Sequence, residues 1–291
     1  LHRQTMKIII YLFIALNLNG VYLRTRKVQK RTTSGSIFHN LYRMEIIKTG
    51  LNKPRNLVIH TDSNYLFFRQ SIKNRDYDHN IKVCNIVSRK CCVFKNIHGG
   101  FAIAYDSENE NIYFGGNHGI YTFNFETKRA EFYAEADKSI WGLFVRRRIY
   151  YIEYPLQQLY AQETNSLIFR PIKGAMHMDN FYISRMHNIY YVNCTGLFKI
   201  EMPLKLHILI DDNHYIRKII EDSTGEVYFV SYRGIYVERD YNLLSIAGLE
   251  NVTDMVFDKE DNIIYSDAFL CQSIFFQTTS ITHCVISHSI L

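Results

Sequence analysis

The chain has 291 residues, enough for one large domain or two ordinary ones with a sizeable buried core. Apolar residues make up 47% and charged ones 21%, which excludes a disordered tail, and 22 Tyr and 19 Phe against 4 Pro bias the chain toward β-structure. The formal charge of +6 resides at the start, where Arg3, Lys7, Arg24, Arg26, Lys27, Lys30 and Arg31 meet no acid; without these seven the remainder carries −1, which gives no argument for nucleic-acid binding.

In chain order, Met6-Lys7, the apolar run Ile8–Leu18 and the small residue Gly20 have the layout of a secretory signal, too short to span a membrane. A buried N-terminal strand or helix is the alternative. Residues 1–22 are therefore read as a leader and 23–39 as a basic flexible arm, with Lys30-Arg31 either a processing site or part of a solvated linker. Secretion agrees with two acceptor sequons, at Asn193 and Asn251, and with an even number of cysteines, six. Those cysteines show no metal-ligand spacing. Cys84 with Cys91 or Cys92 could bridge one hairpin, and Cys271 with Cys284 could tie the C-terminus; buried free thiols are the alternative.

From residue 54 onward one pattern recurs. Ala102–Gly116 leads to Gly119-Ile-Tyr, Ile219–Ser231 leads to Gly234-Ile-Tyr, and Val256–Ser266 leads to Ser273-Ile-Phe. Each is an apolar strand, an Asp/Asn/Gly turn, a Tyr/Phe-rich strand, a second turn and a third strand. Looser copies open at Arg55, Trp141 and Asn180, and a fourth strand such as Ala130–Tyr133 often follows. Units start near 54, 100, 140, 178, 216 and 252. Four short strands per unit at a period near forty describe propeller blades; a β-sandwich has short strands but no fixed period. An extra strand, Leu41–Ile47, precedes the first unit, and the last unit loses clear strands after Phe276. Residues 40–291 are thus read as one all-β domain, a six-bladed β-propeller closed by its N-terminal strand.

No GxSxG, HExxH, P-loop or GxGxxG is present, so catalytic and metal residues are expected to be none. Function is then sought where the innermost strands begin, around the axis. Alignment of the repeats puts Asn56, Gly100, Trp141, Asp179, Arg217 and Asp254 there. Trp141, the single tryptophan, can stack on a flat ligand and Arg217 can meet a carboxylate, unless Trp141 merely packs between blades. Asn56, Asp179, Asp254 and Glu153 could instead supply oxygens to a hard metal, as in lactonase-type propellers, but the set is incomplete.

The stretch Lys53–Phe68 resembles the opening of the ommochrome-binding proteins of moths and butterflies, and Gly99–Asp106, Ser139–Phe144 and Val252–Asp258 resemble them in the same order. The similarity spans roughly residues 40–277. It implies a secreted haemolymph carrier that binds a flat, tryptophan-derived pigment such as ommatin D, without catalysis or cofactor. The expected ligand-binding residues are Asn56, Trp141, Asp179, Arg217 and Asp254, and the expected partners are the pigment alone, with no nucleic acid, no membrane and a monomeric protein. The basic arm and the C-terminus after Phe276 depart from the family. The competing reading is a divalent-metal-dependent lactonase.

Overall fold

The structure, a computed structural model, describes residues 43–275 apart from 49, 73, 74, 95, 96, 98, 203, 250 and 268–270. The expected leader, the basic arm, the Cys271–Cys284 bridge and the segment Thr278–Leu291 lie outside the described residues. Every described strand belongs to the compact unit Gly35–Leu291.

The first strand, β1 (Arg43–Lys48), is held back for the end of the chain. β2 (Arg55–His60), β3 (Tyr65–Ile72), β4 (Arg75–Asn85) and β5 (Cys91–Phe94) form the first sheet. β6 (Ala102–Asp106), β7 (Asn111–Gly116), β8 (Gly119–Asn124) and β9 (Arg129–Ala134) form the second. The third holds β10 (Ile140–Arg146), β11 (Arg148–Glu153), β12 (Gln158–Gln162) and β13 (Phe169–Pro171). The fourth holds β14 (Asn180–Ile183), β15 (Ile189–Asn193), β16 (Gly196–Glu201) and β17 (Leu206–Asp211). The fifth holds β18 (Ile216–Glu221), β19 (Val227–Ser231), β20 (Gly234–Arg239) and β21 (Asn242–Ala247). In the sixth, β22 (Val252–Phe257), β23 (Ile263–Asp267) and β24 (Cys271–Phe275) are completed by β1, antiparallel to β24 with Arg43 opposite Phe275. The all-β propeller expectation holds, and the first strands begin within two residues of the repeat starts read from the sequence.

The recurring acid of the repeat has a local task. Asp106 Oδ1 accepts from the Glu108 and Asn109 amides, Asp222 Oδ1 from Thr224 and Glu226, and Asp258 Oδ1 from Glu260 and Asn262. Each side chain stands in for a backbone carbonyl and turns the first strand into the second. The glycine of Gly-Ile-Tyr is equally constrained. Gly119 and Gly234 have φ of +112° and +154°, and a Cβ there would overlap the carbonyl oxygens of Ala134 and Ala247 at the end of the fourth strand.

The core is divided among the gaps between sheets. Phe67, Phe94, Phe114 and Phe123 fill the first gap, between sheets one and two, with ring centroids 5.2–6.5 Å apart. Ile140, Ile149 and Tyr151 pack with Tyr113 and Ile120 in the second gap, and Ile152 and Leu159 with Phe181 and Ile200 in the third. Tyr190 and Leu197 meet Ile219 and Phe229, Val230 and Ile235 meet Met255 and Ile263, and Val256 and Ile264 meet Leu57 and Leu66. The last contact brings the sixth sheet against the first. Much of the aromatic content read from the composition is spent here, where each buried ring contributes about 2–3 kcal/mol.

Cys84 and Cys91 face each other across β4 and β5 with Cα atoms 4.1 Å apart and form the disulfide, which resolves the choice between Cys91 and Cys92. Cys92 and Cys194 are free and exposed. Among the described residues no helix is long and apolar enough to cross a membrane.

Substituting Gly234 by Ala is expected to lower stability by about 2–4 kcal/mol through backbone strain and overlap with Ala247. Urea unfolding of the wild type and the variant measures it.

Candidate functional site

The innermost strands all begin at one end of the axis, and the residues there form a chain of contacts from sheet to sheet. Asn56 on the first sheet donates through Nδ2 to the Phe101 carbonyl, just before the second. The Phe101 ring lies 5.6 Å from that of Trp141 on the third. Gln157, in the β11–β12 turn of the third, donates to Asp179 at the entry to the fourth. Asn180 of the fourth donates to the Arg217 carbonyl of the fifth at 3.1 Å. Lys218 of the fifth reaches Asp254 of the sixth at 3.2 Å, and Asp254 Oδ2 accepts the Leu57 amide of the first at 3.2 Å. The structure thus brings all five sequence-predicted residues to one rim, in different roles.

Trp141 is 37% exposed and neighbours two other rings, Phe101 and Tyr154, the latter stacked at 5.5 Å with planes 28° apart. This row is an apolar shelf open to solvent. Arg217 lies 4.0 Å from the centre of the Tyr232 ring, and its buried Nε has no hydrogen-bond partner among the described residues.

Two further cations complete the group. Arg55 and Arg69 are opposite each other on β2 and β3, and Arg69 Nη1 reaches the Phe101 carbonyl at 3.5 Å. Burial first, and then repulsion from Arg55, push the Arg69 guanidinium down to about 10. The same two causes lower that of Arg217. Desolvation and like charge both disfavour the cationic form, so the rim favours an arriving anion.

Asn56, Asp179 and Asp254 are otherwise engaged. Asp254 is 2% exposed, and its oxygens take Lys218 and the amides of Leu57 and Met255. Asp179 takes Gln157, and Glu153 takes Lys138 at 2.7 Å. Among the described residues no three His, Cys, Asp or Glu side chains converge as a metal would require. Of the two sequon residues, Asn251 is exposed and Asn193 Oδ1 is held by Thr195 within the β15–β16 turn, while Thr253 is buried against Pro54.

No family model matches the chain. A curated relative does: the ommochrome-binding protein of Manduca sexta is 25% identical over 242 residues, covering 78% of this chain and 85% of the relative. The chain is homologous to an ommochrome-binding protein. The resemblance read from Lys53–Phe68 and the later segments is borne out by it. Solved structures share the architecture. A gluconolactonase of Xanthomonas campestris aligns with a TM-score of 0.61 at 10% identity, over 76% of this chain and 85% of its own. Regucalcin, a calcium-binding protein of Agrobacterium tumefaciens, aligns at 0.60 with 8% identity, over 77% and 85%. Identities this low show the propeller fold alone.

Sequence reasoning missed Arg55, Arg69, Phe101, Tyr154 and Tyr232. Phe101 and Arg55 are each one step from a predicted rim position, so allowing a one-residue shift would have found them. Arg69 and Tyr154 lie on or after second strands, which the alignment of first strands did not consider.

Replacing Asp254 by Ala is expected to cost about 3–5 kcal/mol, because it leaves Lys218 with the Leu57 carbonyl but no carboxylate, and the Leu57 amide without an acceptor. The midpoint of denaturant unfolding reports the loss.

Proposed function

We propose that the protein is a secreted, non-catalytic carrier that holds an ommochrome such as ommatin D reversibly at the axial rim. The supporting observation is the pairing of an open aromatic shelf, Phe101–Trp141–Tyr154, with desolvated arginines at 69 and 217, in a homologue of an ommochrome-binding protein. A planar acidic pigment meets both halves: its rings stack on Trp141 and its carboxylates relieve the arginines. Trp141 and Arg217 contact the ligand in this reading, while Asn56, Asp179 and Asp254 hold the rim in shape. The six sheets form one closed six-bladed ring over residues 40–291, and the protein works as a monomer without a cofactor. Residues 1–22 direct secretion into haemolymph, 23–39 form the basic arm, and Asn193 and Asn251 carry glycans.

The second reading, a metal-dependent lactonase, draws on the fold shared with a gluconolactonase. It requires Asp179 or Asp254 to exchange present partners for a metal ion.

Titration of the folded protein with ommatin D is expected to quench Trp141 fluorescence saturably. Arg217→Ala is expected to weaken binding about tenfold, the loss of one charge-assisted contact, and Trp141→Leu to abolish the shift in the pigment's visible absorption. A flat titration would count against the carrier, and calcium-dependent hydrolysis of gluconolactone would then favour the lactonase.

A further inference from the structure

Three consecutive arginines mark the far end of the third sheet: Arg146 ends β10, Arg147 forms the turn and Arg148 opens β11. Five residues of extended chain separate Trp141 from Arg146, about 17 Å, so these arginines stand at the opposite end of the inner strands from the rim. With Tyr150, Gln162 and His187 they line a cavity of about 550 Å³.

The polar groups there do not balance. Arg146 Nη2 donates to Glu221 at 2.9 Å and to the Tyr182 hydroxyl at 3.2 Å, but its buried Nη1 has no hydrogen-bond partner among the described residues. The Glu221 carboxylate is 2% exposed and also accepts the Arg185 amide at 3.0 Å, so it has little left to offer. Arg148 is propped against Tyr150, donating to its hydroxyl at 2.8 Å and to the Gln162 carbonyl at 3.4 Å, and neither contact carries a negative charge. Arg147 is exposed at the tip of the β10–β11 turn, with φ of +59°. Glu163 is the one acid in the lining, and Arg170 occupies it at 2.9 Å.

We propose that this cavity is a second binding site, distinct from the rim, for a small ligand bearing an oxyanion. Arg147 and Arg148, both exposed and with no acidic partner among the described residues, supply the charge at the mouth. The shared chemistry is a sulfate, phosphate or carboxylate group held by guanidinium forks.

The test is calorimetric titration of the full chain with inorganic sulfate, inorganic phosphate and citrate, each against chloride at constant ionic strength. Saturable binding of any of the three over chloride that is weakened in the cavity variants below supports the site, and the preference among them names the group. Arg147→Ala and Arg148→Ala, both at exposed positions, are each expected to weaken that binding about tenfold and leave the pigment titration unmoved. Arg217→Ala is expected to leave anion binding intact. No preference over chloride, or anion binding lost in Arg217→Ala but kept in the two cavity variants, would overturn the proposal.

Discussion

One buried carboxylate, that of Asp254, joins the sheets at which the repeat region begins and ends. It takes Lys218 from the fifth sheet and the Leu57 amide from the first while sitting on the sixth. A ring of sheets has a weak place wherever sequence neighbours give way to sequence strangers, and here a charged group satisfied by three donors bridges it. The apolar contact of Val256 and Ile264 with Leu57 and Leu66 lies behind that link and excludes water from it. The positions of the rim residues follow from this closure, since each inner strand starts where its neighbours on both sides place it.

At the rim, arginines stand close to one another. At other places guanidinium and ammonium groups meet carboxylates, as Arg239 meets Glu226 and Lys199 meets Glu238. At Arg69 and Arg217 cations are instead pressed out of water beside another cation. Such an arrangement lowers stability in the empty protein and favours an anion placed beside it. Binding sites are among the places where local consistency is broken in this way.

Legibility in the sequence followed the physics of each feature. The period near forty was readable because the turn acids Asp106, Asp222 and Asp258 and the glycines at 119 and 234 answer to backbone geometry, which repeats in every copy. The homology to an ommochrome-binding protein was readable from the same segments. The roles of rim residues were not, because they depend on partners far away in sequence: Asp254 on Leu57 and Lys218, Asn56 on Phe101. Arg146-Arg147-Arg148 stood in plain view as a run of like charge, yet its meaning depends on where Glu221 and Glu163 point. The two candidate partners of Cys84 differed by one residue, and only the register of β4 with β5 separates them.

The sixth sheet also sets a clock on biosynthesis. Five sheets are assembled from strands adjacent in sequence and can form as they emerge from the ribosome. The sixth cannot, because Arg43 waits for Phe275. At ordinary elongation rates that interval is on the order of ten to fifty seconds, during which β1 has no place and the flank of the first sheet is bare. β1 precedes the other described strands in the chain, and its edge and that of β24 stay unpaired until both have been made.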